Sequence, residues 1–258
     1  MANAVVSIIM PAYNAERTIK ASIASVLAQT YADWQLIIIN DASTDATAEI
    51  ARKAAEEDGL GRVILLTNEV NSGISASRNR GIRQAKGIWL AFLDSDDLWR
   101  EDKLEKQLHF MEECGAVISY TATAYMNAEG RQYDYILPTV KRLSYKQLLK
   151  RNLLSCSSVM VRRDAMATEN PFPQGRLHED YAVWLDIVKK AGHAHGLNEP
   201  LLVYRMAKGS KSSARLSSAA MTYAAYRQHG FGKPTAALLT LRYAVHSISK
   251  RLRISLFI

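Results

Sequence analysis

The chain has 258 residues, 48% of them hydrophobic and 22% charged, an ordinary globular composition in which one large domain, or one with an appendage, is expected. Cys114 and Cys156 stand far apart with no CxxC pair, so neither a disulfide framework nor a zinc site is indicated, and a reducing compartment is the simplest fit. Met1–Val6 lacks the basic start and apolar core of a secretion signal, and no run of about 18 apolar residues predicts a spanning helix. The net charge of +8 is uneven: no acid follows Glu199, whereas ten Lys or Arg do, leaving residues 1–199 about −2. A nucleic-acid-binding surface is therefore not expected. The tail cations accompany an apolar helical stripe rather than interleaved aromatics.

Taken in chain order, the first half alternates apolar strands with amphipathic helices. Val5–Met10 reads as a strand and Thr18–Gln29 as a helix with Ile19, Ile23, Val26 and Leu27 on one face. Leu36–Asn40 reads as a strand, Ala46–Glu57 as a helix, Val63–Leu66 as a strand and Gly73–Lys86 as a helix stopped by Gly87. Ile88–Leu93 is a fourth strand. Continuous apolar strands separated by helices predict an α/β fold, a Rossmann-like, mostly parallel sheet flanked by helices. Beyond Glu112 the pattern changes to strands over Ala116–Ala122, Ala124–Met126 and Ser157–Val161, with a turn at 127–130. A helix follows over Glu179–Lys190, ended by Gly192. This half is expected to complete a mixed sheet and hold the acceptor side.

The most informative stretch is Trp89-Leu90-Ala91-Phe92-Leu93-Asp94-Ser95-Asp96-Asp97, where an apolar run ends in three acids. Open α/β sheets bind ligands at the carboxyl ends of their strands. In extended chain Asp94 and Asp96 face one side, a pairing of hard oxygens suited to a divalent cation that also grips a phosphate. The alternative is an acidic turn in which Asp97 caps a helix starting near Trp99. Tyr13, after a Pro11 expected to turn the chain outward, is read either against a base or ribose or as a packed turn residue. Asp41, ending the second strand, is read as accepting a uracil imide N–H or as structural, and Asp45 as a helix cap. Gly73 opens a helix whose N-terminus favours a phosphate. Arg78 and Arg80 add cationic reach, with Arg80 or Arg83 more simply a solvated residue. Asp180, with Glu179 in reserve, is either a dipole partner in a first helical turn or a general base. Residues 204–212 read as a basic loop that closes over a diphosphate or stays solvated. After Pro234 an apolar stripe of Leu238, Leu241, Val245, Ile248, Leu252 and Leu256 is flanked by Arg242 and Arg253, the layout of a helix lying on an anionic membrane. Docking on its own domain or on a partner subunit is the alternative.

In this order the motifs resemble those of bacterial family 2 glycosyltransferases with the GT-A fold. The matching pieces are 6–14, 39–45, Asn71-Ser72-Gly73 through Ser77-Arg78-Asn79, 93–97 and Glu179-Asp180, and the likeness covers about 4–212. The resemblance implies a GT-A catalytic domain over 1–212, and the residue pattern beyond it predicts a basic extension of amphipathic helices over 213–258. It implies that Pro11, Ala12, Tyr13 and Asp41 hold uridine, with Asn71, Gly73, Arg78, Asp94, Ser95 and Arg205 also against the nucleotide sugar. Asp96 would then bind Mn²⁺ or Mg²⁺, and Asp180 would serve as base. Many relatives carry a histidine two residues after the arginine matching Arg205. Ala207 stands there in this chain, so Lys208 or Arg205 is expected to substitute.

The expectation is an inverting, metal-dependent transferase. It would move sugar from a UDP-sugar to a lipid-linked glycan of a bacterial surface polysaccharide, from the inner face of the cell membrane. A homodimer stays open. The alternatives are transfer to a polyprenyl phosphate, or a non-catalytic sugar-nucleotide-binding protein.

Overall fold

The computed structural model describes residues 6–166, 168, 170–175, 177–206 and 215–255. Four parallel strands form one half of the sheet: β1 (Val6–Ala12), β2 (Trp34–Asn40), β3 (Val63–Thr67) and β4 (Trp89–Phe92). They lie in the order β3-β2-β1-β4, with helices α1 (Ile19–Leu27), α2 (Thr47–Glu57) and α3 (Ile74–Gln84) in the crossovers. β1 and β2 are buried at every residue, as their unbroken apolar sequences require.

The second half is mixed. β5 (Leu98–Trp99) is followed by α4 (Lys103–Cys114), then β6 (Ile118–Met126), β7 (Gln132–Leu137) and β8 (Arg142–Ser144). A short α5 (Tyr145–Leu148), β9 (Met160–Arg162), α6 (Glu179–Ala191) and β10 (His193–Arg205) complete the sheet, whose order continues β4-β9-β6-β10-β5. β9 runs antiparallel to both β4 and β6, while β6 and β10 are parallel. The sheet is thus wholly parallel through its first four strands and mixed beyond them, as the change of pattern after Glu112 implies. Because β9 is reversed, β4, β6 and β10 still point the same way, and all their carboxyl ends open on one edge.

Several boundaries differ from the sequence reading for physical reasons. Pro11 does not turn the chain but continues β1 opposite Ile39. In a parallel strand successive residues bond to opposite sides. The Ile9 carbonyl accepts the Leu93 N–H, so Pro11, two residues on, faces the same side beyond the last β4 pairing, where no donor is needed. α3 stops at Gln84 because Ala85 is extended, and Gly87 instead donates its N–H to the Ser7 hydroxyl. Leu27 is exposed rather than packed. Residues 118–126 form one unbroken strand, and 156–158 form a 3₁₀ turn ahead of β9. Asp97 caps no helix, since α4 begins at Lys103. Arg80 is no free surface residue: its guanidinium bonds the Thr67 carbonyl and Asn68.

Amphipathic helices are expected over 213–258, and there the structure has α7 (Arg215–Gln228), whose bounds the sequence did not suggest, paired with α8 (Lys233–Ser255). Ala225, Tyr226 and Ala236 lie in the same buried cluster as Phe92 and Trp184, and Leu239 and Tyr243 pack against it. The extension is therefore docked on its own domain along this side. Its predicted stripe faces outward at Leu238, Leu241 and Val245, all half-exposed or more. The side chains of Ile248 and Leu252, and all of Leu256, lie outside the described residues.

α3 sits close on the sheet because position 81 has no Cβ. One built there would meet Ile9 Cγ2 at 2.7 Å and Ile39 Cδ1 at 2.8 Å, both on fully buried side chains. Gly81→Ala is expected to destabilise the fold by about 1–3 kcal/mol, measured by urea unfolding, because neither isoleucine has room to move. An unchanged midpoint would show that α3 is free to shift.

Candidate active site

The carboxyl ends of β1, β2, β3 and β4 deliver Tyr13, Asp41, Asn68 and Asp94 to one rim. Asn14 and Ala42 both have positive φ, at 48° and 56°, a conformation costly for alanine and concentrated at functional sites. These two loops are laced together. The Asn14 N–H donates to the Ser43 hydroxyl at 3.0 Å, and Asn14 Oδ1 accepts the Thr44 N–H at 2.9 Å. Asp45 accepts the N–H groups of Glu16 and of Thr47, the first residue of α2, but it stands one residue before the N-cap, Ala46, so it leads into the helix rather than capping it. Tyr13 is not packed; half of it is exposed at the rim.

Asp41 is 3% exposed, and both its oxygens are engaged. Oδ1 accepts from Asn68 Nδ2 at 2.6 Å and the Ser72 N–H at 2.9 Å, while Oδ2 accepts the Gly73 N–H at 2.8 Å. The N–H groups expected to attract a phosphate thus already hold a carboxylate. Gly73 has φ 83°, so glycine is required there for its backbone. Asn71 is exposed and Ser95 half-buried at the same rim.

Arg78, 2% exposed on α3, reaches Asp94 through Nη2 at 2.7 Å and Glu179 through Nη1 at 3.1 Å. Its charge centre lies 5.3 Å from the Phe172 ring. Phe172, Phe92 and Trp184 stack edge-on at 5.4–6.0 Å, fixing α6 and its leading acids against β4. Burial works against the guanidinium charge, but Asp94, Glu179 and Asp180 outweigh it, so Arg78 stays cationic. Arg78 is thus an internal brace between the two acidic motifs, not a free phosphate ligand. Arg205 is likewise engaged: its Nε donates to the Asp96 carbonyl at 2.8 Å and its Nη1 to the Ala128 carbonyl at 2.9 Å. The rest of the predicted basic loop, from 207 through 212, lies outside the described residues.

Burial and then Asp94 push Asp96 up to about 6, with Arg205 pulling the other way. Asp180 is raised by burial and by Glu179, against Arg78 and His178, and one of its oxygens accepts the Tyr181 N–H at 2.7 Å. A carboxylate so raised suits proton abstraction. Among the described residues no group of three or more His, Cys, Asp and Glu could hold a metal alone. Two carboxylates completed by substrate phosphates is, however, the arrangement Mg²⁺ commonly takes, and Mn²⁺ accepts the same hard oxygens. The residues present fit such an ion. Sequence reasoning missed Asn68, Cys156, Ser157 and Phe172. Only Asn68 carried a signal, its place just beyond an apolar strand.

The sheet edge thus carries an acid pair, with a braced acid beside it. Residues 7–168 match the model for Glycosyl transferase family 2, and the chain belongs to that family. It is 38% identical over 251 residues, 96% of this chain and 97% of the relative, to a Bacillus subtilis protein named as a candidate teichuronic acid biosynthesis glycosyltransferase, TuaG. It is 40% identical over 185 residues, 71% of this chain and 70% of the relative, to the Escherichia coli UDP-Glc:alpha-D-GlcNAc-diphosphoundecaprenol beta-1,3-glucosyltransferase WfgD. The fold matches that of Staphylococcus aureus TarS 1–349 in complex with UDP-GlcNAc, with TM-score 0.71, 19% identity and coverage of 91% of this chain and 70% of that one. It also matches the Pyrobaculum calidifontis mannosyltransferase PcManGT in complex with GDP-Man and Mn²⁺, with TM-score 0.69, 16% identity and coverage of 98% and 81%.

A raised carboxyl makes the folded protein bind protons more tightly than the unfolded chain, so its stability falls as pH rises from about 4 through about 6. In metal-free buffer Asp96→Asn is expected to unfold at higher temperature than wild type at pH 7.5, the gap closing near pH 4. Equal melting at pH 7.5 would remove the strain assigned to the pair.

Proposed function

We propose that the chain is a divalent-metal-dependent, inverting transferase that moves a sugar from a UDP-sugar to a hydroxyl of a lipid-linked glycan in bacterial surface polysaccharide synthesis. The observation that carries this reading is the Asp94–Asp96 pair at the rim, whose mutual repulsion a cation would relieve. Asp96, with Asp94, would hold Mn²⁺ or Mg²⁺, which when bound supplies charge stabilisation to the departing diphosphate. Pro11, Ala12, Tyr13 and Asp41 form the uridine end, the exposed Tyr13 ring offering a face for the base. Asn71, Gly73 and Ser95 line the path from there to the acids.

Asp180 takes the proton of the acceptor hydroxyl as its oxygen bonds to the anomeric carbon. The bond from that carbon to the diphosphate breaks on the opposite face, and the leaving group departs with the electron pair. Arg78 keeps the donor acid and the base-bearing helix in fixed relation, the kind of positioning that contributes several kcal/mol to a displacement. The named activity of the WfgD relative supports a diphosphate-lipid acceptor.

With a panel of UDP-sugars, turnover is expected to vanish on EDTA addition and to return with Mn²⁺ or Mg²⁺. Asp96→Ala and Asp180→Asn should each lower kcat/KM by at least about 10²-fold with the fold retained. Full activity in either variant would overturn the corresponding role.

The exposed stripe on α8 and the acid-free basic tail support attachment to an anionic lipid surface. Among the described residues no helix is long and apolar enough to cross a membrane. Replacing Leu238, Leu241 and Val245 together by Asp should abolish co-sedimentation with phosphatidylglycerol vesicles while leaving the melting temperature near wild type. Undiminished sedimentation would sink this attachment.

A further inference from the structure

Ser157 occupies the 3₁₀ turn before β9. Because β9 is antiparallel to β4 with Met160 opposite Ala91, that turn emerges beside the acid-bearing loop. The serine is 1% exposed, so it cannot be a surface ligand for a nucleotide. Its hydroxyl accepts the Asp94 N–H at 3.1 Å and donates to Asp97 Oδ2 at 2.6 Å. Its carbonyl accepts the Trp99 indole N–H at 2.7 Å. Asp97, also 1% exposed, accepts the Arg205 N–H on Oδ1 at 2.9 Å, and its own N–H returns to the Asp94 carbonyl at 3.1 Å. The loop from Asp94 to Trp99 is therefore closed from below by one hydroxyl and one buried carboxylate, with Arg205 holding the Asp96 carbonyl from the side.

We propose that Ser157, acting through Asp97, is a positioning residue for the cation and diphosphate: its hydroxyl fixes the main chain that sets Asp94 and Asp96 side by side. This rests on the metal-assisted reading above. Removing the hydroxyl orphans the Asp94 N–H and takes one of the two bonds from a buried carboxylate, so the loop that presents both acids has to rearrange. None of these hydrogen bonds involves Pro11, Ala12, Tyr13 or Asp41, so the loss is expected in metal-dependent binding.

The test is calorimetric UDP binding to the full chain, in EDTA and in excess Mn²⁺, for wild type, Ser157→Ala, Asp97→Asn and the double variant. Wild type is expected to bind UDP more tightly with Mn²⁺. In Ser157→Ala, with circular dichroism and a cooperative melt confirming the fold, affinity in EDTA should stay within about twofold while the Mn²⁺-dependent gain falls about tenfold, the usual scale for a group that orients metal ligands. Asp97→Asn should behave alike, and the double variant should be no worse than the weaker-binding single, because both break one lock. A full Mn²⁺-dependent gain in Ser157→Ala, an equal loss in EDTA, or additive losses would each overturn the proposal. No Mn²⁺-dependent gain in wild type would overturn the metal reading itself. If Asp97→Asn fails to fold, Ser157→Ala decides alone.

Discussion

A buried guanidinium joins three parts of the chain that are distant in sequence. Arg78 comes from the second turn of α3, Asp94 from the loop after β4, and Glu179 from the first turn of α6. Leaving one buried ionic partner unmatched typically costs about 3–5 kcal/mol, which ties these elements to a single arrangement. Gly81 lets α3 approach β1 and β2, and the Phe92–Phe172–Trp184 stack seats α6. The acidic rim is thus a product of packing rather than of loop chance.

Above that brace, negative charge accumulates at one edge. Asp94, Asp96 and Asp97 lie within four positions, and Asp180 is raised by burial and Glu179. Burial and like charge both oppose ionisation here, and the fold tolerates this because Arg78 and the backbone donors offset part of it. Such unrelieved charge at a strand edge is a hallmark of a site built for a cationic or proton-transferring partner.

Much of the architecture could be read directly from residue pattern. β1 to β4 announce themselves as unbroken apolar runs, and parallel pairing puts their ends on one edge without further information. Gly192 marks the end of α6 with φ 84°, as a glycine past a helix should. The failures share a cause, long-range context. Pro11 looks like a turn until the end of β4 is known, and Gly87 looks like a helix stop until Ala85 is seen to turn extended first. Asp97 and Ser157 are 60 residues apart and carry no periodic signal, so nothing local links them. The bounds of α7 escaped because its apolar residues are small and scattered. The partners that engage Arg78 and Arg205 were likewise illegible, since those of Arg205 and one of the two of Arg78 lie far away along the chain.

The outward stripe on α8 has a consequence for handling the protein. Ala236, Leu239 and Tyr243 anchor the opposite side of the helix to the body, so the molecule cannot hide Leu238, Leu241 and Val245 by refolding its tail. An exposed apolar patch is therefore built into the folded state. Mild detergent, which covers such a patch, should serve the folded protein better than refolding screens, and moderate salt should screen the charge of its basic end.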